Sequence, residues 1–298
     1  MKILITGAAG YIGSELCRHY TNQPHVSKVI AYDNFSNGSL GLLATGINRK
    51  KLHTVKADIL NSFIFRKALS DVDFVIHAAG TGAEYSSADK DIHRYEQINH
   101  WGTAEVVNCI EEKKGIKLVY LSSTEVIGYS TQSEGATKTQ PISAYGSSIV
   151  RAEEEIARLI PRKRATILRL GEVIGMSSAL NTESPLNKMV SDAVLLNRIQ
   201  IVGNGKNTFP YTCISSITAA CDAYIAGSLD SGTFNLTDGN TTLREATDIL
   251  MDAMPELEVI FVAHHFNPRS NEVSNTLPES IKKEIPLEES LASFLKSV

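Results

Sequence analysis

Short apolar runs alternate with helix-period segments from the first residues of the chain. The apolar runs are Ile3–Thr6, Val29–Asp33, Leu52–Ala57, Asp73–Ala79, Leu118–Ser122 and Thr166–Leu170, and segments with apolar residues three and four apart lie between them at 11–22, 95–112 and 145–160. That alternation predicts repeated strand–helix–strand units, with the strands in parallel. The runs at 73–79 and 118–122 are apolar almost without interruption, as a parallel sheet covered on both faces requires. The expected class is α/β, with helices on both sides of a doubly wound parallel sheet.

Beyond about residue 168 the rhythm loosens. A Ser/Asn-rich patch at 177–187 precedes a helix near 186–197, then come the Gly203-Asn204-Gly205 turn, a strand at Thr233–Thr237 and one further helix at 242–253. The tail from 264 to 289 is polar, with Pro268, Pro278 and Pro286, and reads as loop-rich. The pattern divides the chain into a first domain over 1–168 and a smaller mixed domain over 169–298, with about 210–238 packing back on the first.

Composition narrows the function classes. The 29 Lys and Arg against 33 Asp and Glu give a net charge of −4, which offers nothing to a polyanion. Cys17, Cys109, Cys213 and Cys221 lie far apart with no CxxC pair, and read as buried thiols of a reducing compartment. No run approaches the roughly 18 apolar residues of a membrane span, and no secretory signal precedes the first strand, so a soluble cytoplasmic protein is expected. His93, His100, His264 and His265 lack the spacing and acidic neighbours of a metal site, and no metal is expected. His77, ending an apolar strand, reads as a satisfied buried histidine, and the single Trp101 as core or helix packing.

The chemistry begins where the first strand meets Thr6-Gly7-Ala8-Ala9-Gly10-Tyr11-Ile12-Gly13 and then a helix. Glycines at 7, 10 and 13 tighten the turn, let the backbone approach a pyrophosphate, and let the helix pack on the strand. Asp33 closes the second strand 20 residues after Gly13, where a carboxylate accepts from adenosine ribose hydroxyls. It would repel a 2′-phosphate, so NAD is favoured over NADP. Asp58 could accept from the adenine amino group, or cap the helix beginning near 61.

With these motifs, Asp33-Asn34, Ala57-Asp58-Ile59, His77-Ala78-Ala79-Gly80, Asn99 with Gly102-Thr103, Ser122 to Gly128, Tyr145-Gly146-Ser147-Ser148 and Leu168-Arg169-Leu170-Gly171, the chain resembles the extended short-chain dehydrogenase/reductase family, in its sugar-nucleotide epimerase and dehydratase branch. The resemblance implies a Rossmann-type domain binding NAD through Gly7, Gly10, Tyr11, Ile12, Gly13, Asp33, Asn34, Asp58, Ile59, Ala78, Ala79, Gly80, Asn99, Ser122 and Tyr145, with the second domain closing over a small-molecule substrate, a nucleotide sugar. It implies that Tyr145 takes a proton from a substrate hydroxyl held by Ser123 while NAD takes a hydride. It further implies that Glu125 serves as a second acid/base; read by itself, Glu125 is equally a strand-mouth carboxylate with a local hydrogen bond. In many relatives the helices near 99–112 and 145–160 form a homodimer interface; Ile98, Val106, Ile110, Ile149, Ile156 and Ile160 fit that, or packing on the sheet.

The sequence departs from the family pattern at the substrate end. The lysine expected four residues after Tyr145, one helical turn on, is Ile149, which cannot lower a tyrosine pKa of about 10. Lys138 and Arg151 are the nearest substitutes in sequence. An expected asparagine is Glu172, an expected phosphate-gripping arginine is Phe209, and the acidic pair that usually follows is Ser215 and Ser216, while Arg269 aligns loosely with a second arginine. Lys188, Arg198 and Lys206 are other candidates for holding phosphate. The expected activity is epimerisation or dehydration of a nucleotide-activated sugar through a transient ketone. The alternative is an NAD-binding relative, catalytically disabled, that binds, senses or scaffolds.

Overall fold

The computed structural model describes residues 1–82, 92–128, 139–263 and 270–297. In chain order the strands and helices of the first half are β1 (Lys2–Thr6), α1 (Tyr11–Asn22), β2 (Lys28–Asp33), β3 (Leu52–Lys56), α2 (Ser62–Ala68), β4 (Phe74–His77), α3 (Ile92–Tyr95), α4 (Gly102–Glu111), β5 (Lys117–Ser123), α5 (Ala144–Ala157) and β6 (Ala165–Leu170). They are followed by β7 (Glu172–Ile174), α6 (Pro185–Leu196), β8 (Arg198–Val202), β9 (Thr208–Cys213), α7 (Ile214–Ala226), β10 (Gly232–Leu236), β11 (Gly239–Thr242), α8 (Leu243–Ala253), β12 (Glu258–Val262) and α9 (Leu287–Ser297).

The expected doubly wound sheet is present. Seven strands lie in the order β10-β6-β5-β4-β1-β2-β3, every neighbouring pair parallel. Strand order reverses between β1 and β4, and there a crevice opens at the carboxyl ends of the strands, where such folds bind ligands. One face of the sheet packs Leu16, Cys17 and Tyr20 of α1 with Ile217, Ala220, Cys221 and Tyr224 of α7. The other packs Phe65 of α2, Val106, Val107 and Ile110 of α4, and Ala152 and Ile156 of α5. Val106, Ile110 and Ile156, considered above for a dimer, are therefore fully buried against the chain's own sheet, with Ile98 and Ile160 packed on the same cluster.

The second half holds more order than its sequence pattern predicts. A three-stranded sheet, β11-β9-β7, and the parallel pair β12-β8 enclose a third core of Leu186, Met189, Val190, Ile199, Leu250, Leu291 and Phe294. Helix α7 has no place in the sequence reading because apolar and small residues surround its whole circumference, leaving no polar stripe to mark a period. The chain after α7 returns to the large sheet, where β10 pairs with β6 from Gly232↔Thr166 to Leu236↔Leu170. All four cysteines are buried and unpaired. Among the described residues no helix is long and apolar enough to cross a membrane.

Candidate active site

The glycine loop between β1 and α1 is shaped by backbone rather than side chains. Gly7 has φ +64°, and a Cβ there would stand 2.7 Å from both the Ala78 oxygen and the Ala79 nitrogen. A Cβ on Gly13 would overlap the Gly7 carbonyl. Helix α1 starts from Gly10 with no side-chain cap and no acidic residue in its first turn, so its leading N–H groups stay available to an anion. Asp33 lies at the loop's rim, accepting from Ala9 N–H through Oδ2 (2.9 Å) and from Phe35 N–H through Oδ1 (2.7 Å). Asn34 donates to Asp58 Oδ2 (2.8 Å), while Asp58 Oδ1 accepts from Leu60 N–H (2.9 Å). Asp58 does not cap α2; Asn61 does, accepting from Ile64 N–H. An open helix end, glycines at 7 and 13 that no other residue could replace and a carboxylate at the end of β2 fit a dinucleotide. Gly13→Ala is expected to weaken NAD binding about tenfold or more, since relieving such an overlap costs about 1–3 kcal/mol of backbone shift; calorimetric titration with NAD checks it.

Tyr11, Ile12, Ala78, Ala79, Gly80, Asn99, Ser122, Ser123, Glu125, Tyr145, Ile149 and Glu172 line one cleft of about 230 Å³, together with Asn181, Glu183 and Ser184 from the second half. The structure thus brings the glycine loop and the carboxyl end of β5 to the same opening. Within it, the Tyr11 hydroxyl donates to the Gly175 carbonyl (2.7 Å), tying the start of α1 to the chain after β7. Ser177 reinforces the tie, donating to the Tyr11 carbonyl (2.8 Å) and lying 3.0 Å from Ser14 Oγ.

Ser123 ends β5 and accepts from Glu125 N–H (3.1 Å), and Tyr145 is in the first turn of α5, whose cap Ser143 accepts from Gly146 N–H (2.9 Å). Burial raises the Tyr145 pKa to about 12; a hydrogen bond with Ser123 lowers it, and the charges of Glu125 and Glu172 raise it again. Burial likewise raises the Glu125 carboxyl. Ile149, one turn along α5, is buried at 6% exposure with Val126, Ile127 and Val273, an apolar cluster against which Tyr145 packs. Among the described residues lining the cleft none is cationic. Arg151 is turned to the surface, paired with Glu96 at 2.5 Å, and Lys138 lies outside the described residues.

The other substitutes for phosphate contacts are also elsewhere. Phe209 packs on the third core, Lys188 pairs with Asp192 on the surface of α6 (2.8 Å), Arg198 is exposed, and Lys206 lines a separate depression with Arg244. Arg269, His264 and His265 lie outside the described residues. Ser216 does not stand alone where an acid is expected: Asp238, from the turn after β10, accepts from it (2.8 Å) and from Cys213 N–H (2.6 Å), capping α7 from across the fold.

Two buried arrangements escaped the sequence reading. Arg169 on β6 and Glu153 on α5 form a bidentate pair (2.7 and 2.9 Å), and Ser122 donates to the same carboxylate (2.6 Å). The second is the turn Glu96–Trp101, which is π-helical, with the wider i→i+5 winding often found at functional sites. Its extra residue turns Asn99 inward, to 1% exposure, and Trp101 outward, to 56%. Trp101 is therefore not core, contrary to its expected packing. His77 is fully buried between Thr6 Oγ1 (2.6 Å) and Thr103 Oγ1 (2.9 Å), and burial lowers its pKa to about 3.

Comparison with known proteins identifies this architecture. The family model described as the NAD dependent epimerase/dehydratase family matches residues 3–237. A dTDP-D-glucose 4,6-dehydratase from Dictyostelium discoideum is 27% identical over 242 residues, covering 74% of this chain and 54% of the relative. A UDP-glucose 4-epimerase from Neisseria meningitidis serogroup C is 28% identical over 195 residues, covering 62% of this chain and 57% of its own length. In these two relatives the match thus spans little more than half of the protein. The fold of a Bacillus cereus UDP-glucuronic acid 4-epimerase superposes with a TM-score of 0.85 over 99% of this chain and 98% of that one, at 22% identity. With the nucleotide cradle, the Ser123–Tyr145 pair and a family match over most of its length, the chain belongs to the NAD dependent epimerase/dehydratase family.

Proposed function

We propose that this chain catalyses the NAD-dependent epimerisation or dehydration of a nucleotide-activated sugar through a transient keto sugar. The observation that carries the reading is that the nucleotide cradle and the Ser123, Tyr145 and Glu125 side chains open on one cleft. NAD, when bound, supplies a hydride acceptor and a positively charged ring. Ser123 orients the substrate hydroxyl by hydrogen bond, and Tyr145 takes its proton as the carbinol becomes a ketone. Glu125, a partly buried carboxyl with a raised pKa, removes the acidified proton beside that ketone. Without a lysine at 149, Tyr145 relies on the positive charge that arrives with the cofactor, so slow turnover is expected.

The purified protein, supplied with NAD and a panel of uridine, thymidine, guanosine and cytidine diphosphate sugars, tests the reading. Turnover of one sugar class is expected, and the product, an epimer or a dehydrated keto sugar, states which reaction occurs. NAD binding with no turnover on any sugar, before and after Ile149→Lys, overturns the enzymatic reading.

A further inference from the structure

Buried hydrogen bonds run from the cofactor loop to the helix of Tyr145, and their donor directions are mutually fixed. Thr103 has one hydroxyl proton, and it goes to the Asn99 carbonyl (2.6 Å). Thr103 Oγ1 must therefore accept from His77 Nε2–H, which leaves Nδ1 of the neutral ring bare to accept from Thr6 O–H. Thr6 Oγ1 in turn accepts from Ala79 N–H (3.2 Å). On the far side, the Asn99 side chain holds Thr81 through both its atoms (2.7 and 3.1 Å) and donates to Ser148 Oγ (3.1 Å), which donates to the Tyr145 carbonyl (2.7 Å). His77 is the joint of this assembly: β1, β4 and β5 place Thr6, His77 and Tyr120 side by side in register, and the two ring nitrogens reach opposite ways.

We propose that His77 is a positioning residue that couples the cofactor loop at Ala79 to the π-helical turn of Asn99, and through it to the helix carrying Tyr145. In this chain the residue one turn after Tyr145 is apolar and cannot join tyrosine and cofactor, so the alignment is carried from beneath, by the sheet. The inference rests on the NAD-dependent reading above, but its test needs no substrate.

NAD affinity is measured by calorimetry for the intact protein, His77→Phe, Ser148→Ala and the double variant. His77→Phe is expected to weaken NAD binding about tenfold, the scale of a lost buried hydrogen-bond partner. Ser148→Ala, at the other end, is expected to weaken it by a smaller factor. The double variant should bind no more weakly than His77→Phe alone, because residues in one network are not additive. Faster hydrogen exchange of the Ala79 amide in Ser148→Ala is the signature of coupling that a purely local packing role would not produce. If His77→Phe does not fold, Thr103→Val breaks the same joint with little change of shape, and Thr103→Ser, which keeps the hydroxyl, should restore the intact protein's affinity. Multiplying losses in the double variant, or an unchanged Ala79 amide, overturn the proposal while leaving NAD binding by the intact protein standing. Failure of the intact protein to bind NAD overturns the functional reading itself.

Discussion

Replacing Tyr145 with Phe is expected to lower turnover by about 10²–10⁴-fold, the usual contribution of a positioned acid–base group, while NAD still binds. The phenyl ring keeps the packing against Tyr95 and the Ile149 cluster, so the loss reads the hydroxyl alone. The pH profile carries the same chemistry with a definite sign. The reactive form is the phenolate, and burial raises the Tyr145 pKa to about 12. Bound NAD's positive charge lowers it from that value, and below the pKa Tyr145 then keeps, the phenolate fraction, and with it the rate, should rise about tenfold per pH unit. An ammonium in Ile149→Lys favours the phenolate and should bring the rise to lower pH. A Phe variant as fast as the parent removes Tyr145 from the mechanism.

Arg169→Leu is expected to cost about 3–5 kcal/mol of folding stability, because it leaves the Glu153 carboxylate buried without its partner. Both side chains are almost wholly removed from water, at 6% and 8% exposure, and the pair joins β6 to α5 beneath the cleft. Ser122 depends on the same carboxylate, so the end of β5 that carries Ser123 loosens with it. The double variant Arg169→Leu with Glu153→Leu should recover most of the loss, since two apolar groups replace a pair that gained little over its own desolvation. Urea unfolding measures both. A single variant within about 1 kcal/mol of the parent would show instead that Glu153 finds water or another donor.

The parts of the fold legible in the sequence are those whose signal is local. Six strands of the large sheet follow from apolar runs such as 73–79 and 118–122, because parallel strands covered on both faces have no polar side to interrupt them. The glycine loop is equally legible, since positions 7 and 13 leave no room for a side chain whatever lies around them. Helix α9 carries a readable stripe in Leu287, Leu291, Phe294 and Leu295, but the prolines before it draw the reading toward a loop. Helix α7 has no stripe to read. Trp101 was misplaced for another reason: one extra residue in the winding at Glu96–Trp101 rotates every side chain after it, and nothing in the local pattern announces that change.

By itself, then, the sequence determined the doubly wound sheet and the glycine loop, because periodicity and glycine geometry act over a turn or a strand, while Ser123, Tyr145 and Glu125 came as candidates from the family resemblance. Only the tertiary structure decided what surrounds them. Ile149 became the core of an apolar cluster with Val273, Asp238 capped a helix 24 residues upstream through Cys213, accepting its N–H at 2.6 Å, and His77 joined Thr6 to Thr103. Each of these contacts pairs residues far apart in the chain, and their energies exist only once the sheet has brought its partners within hydrogen-bonding or van der Waals reach.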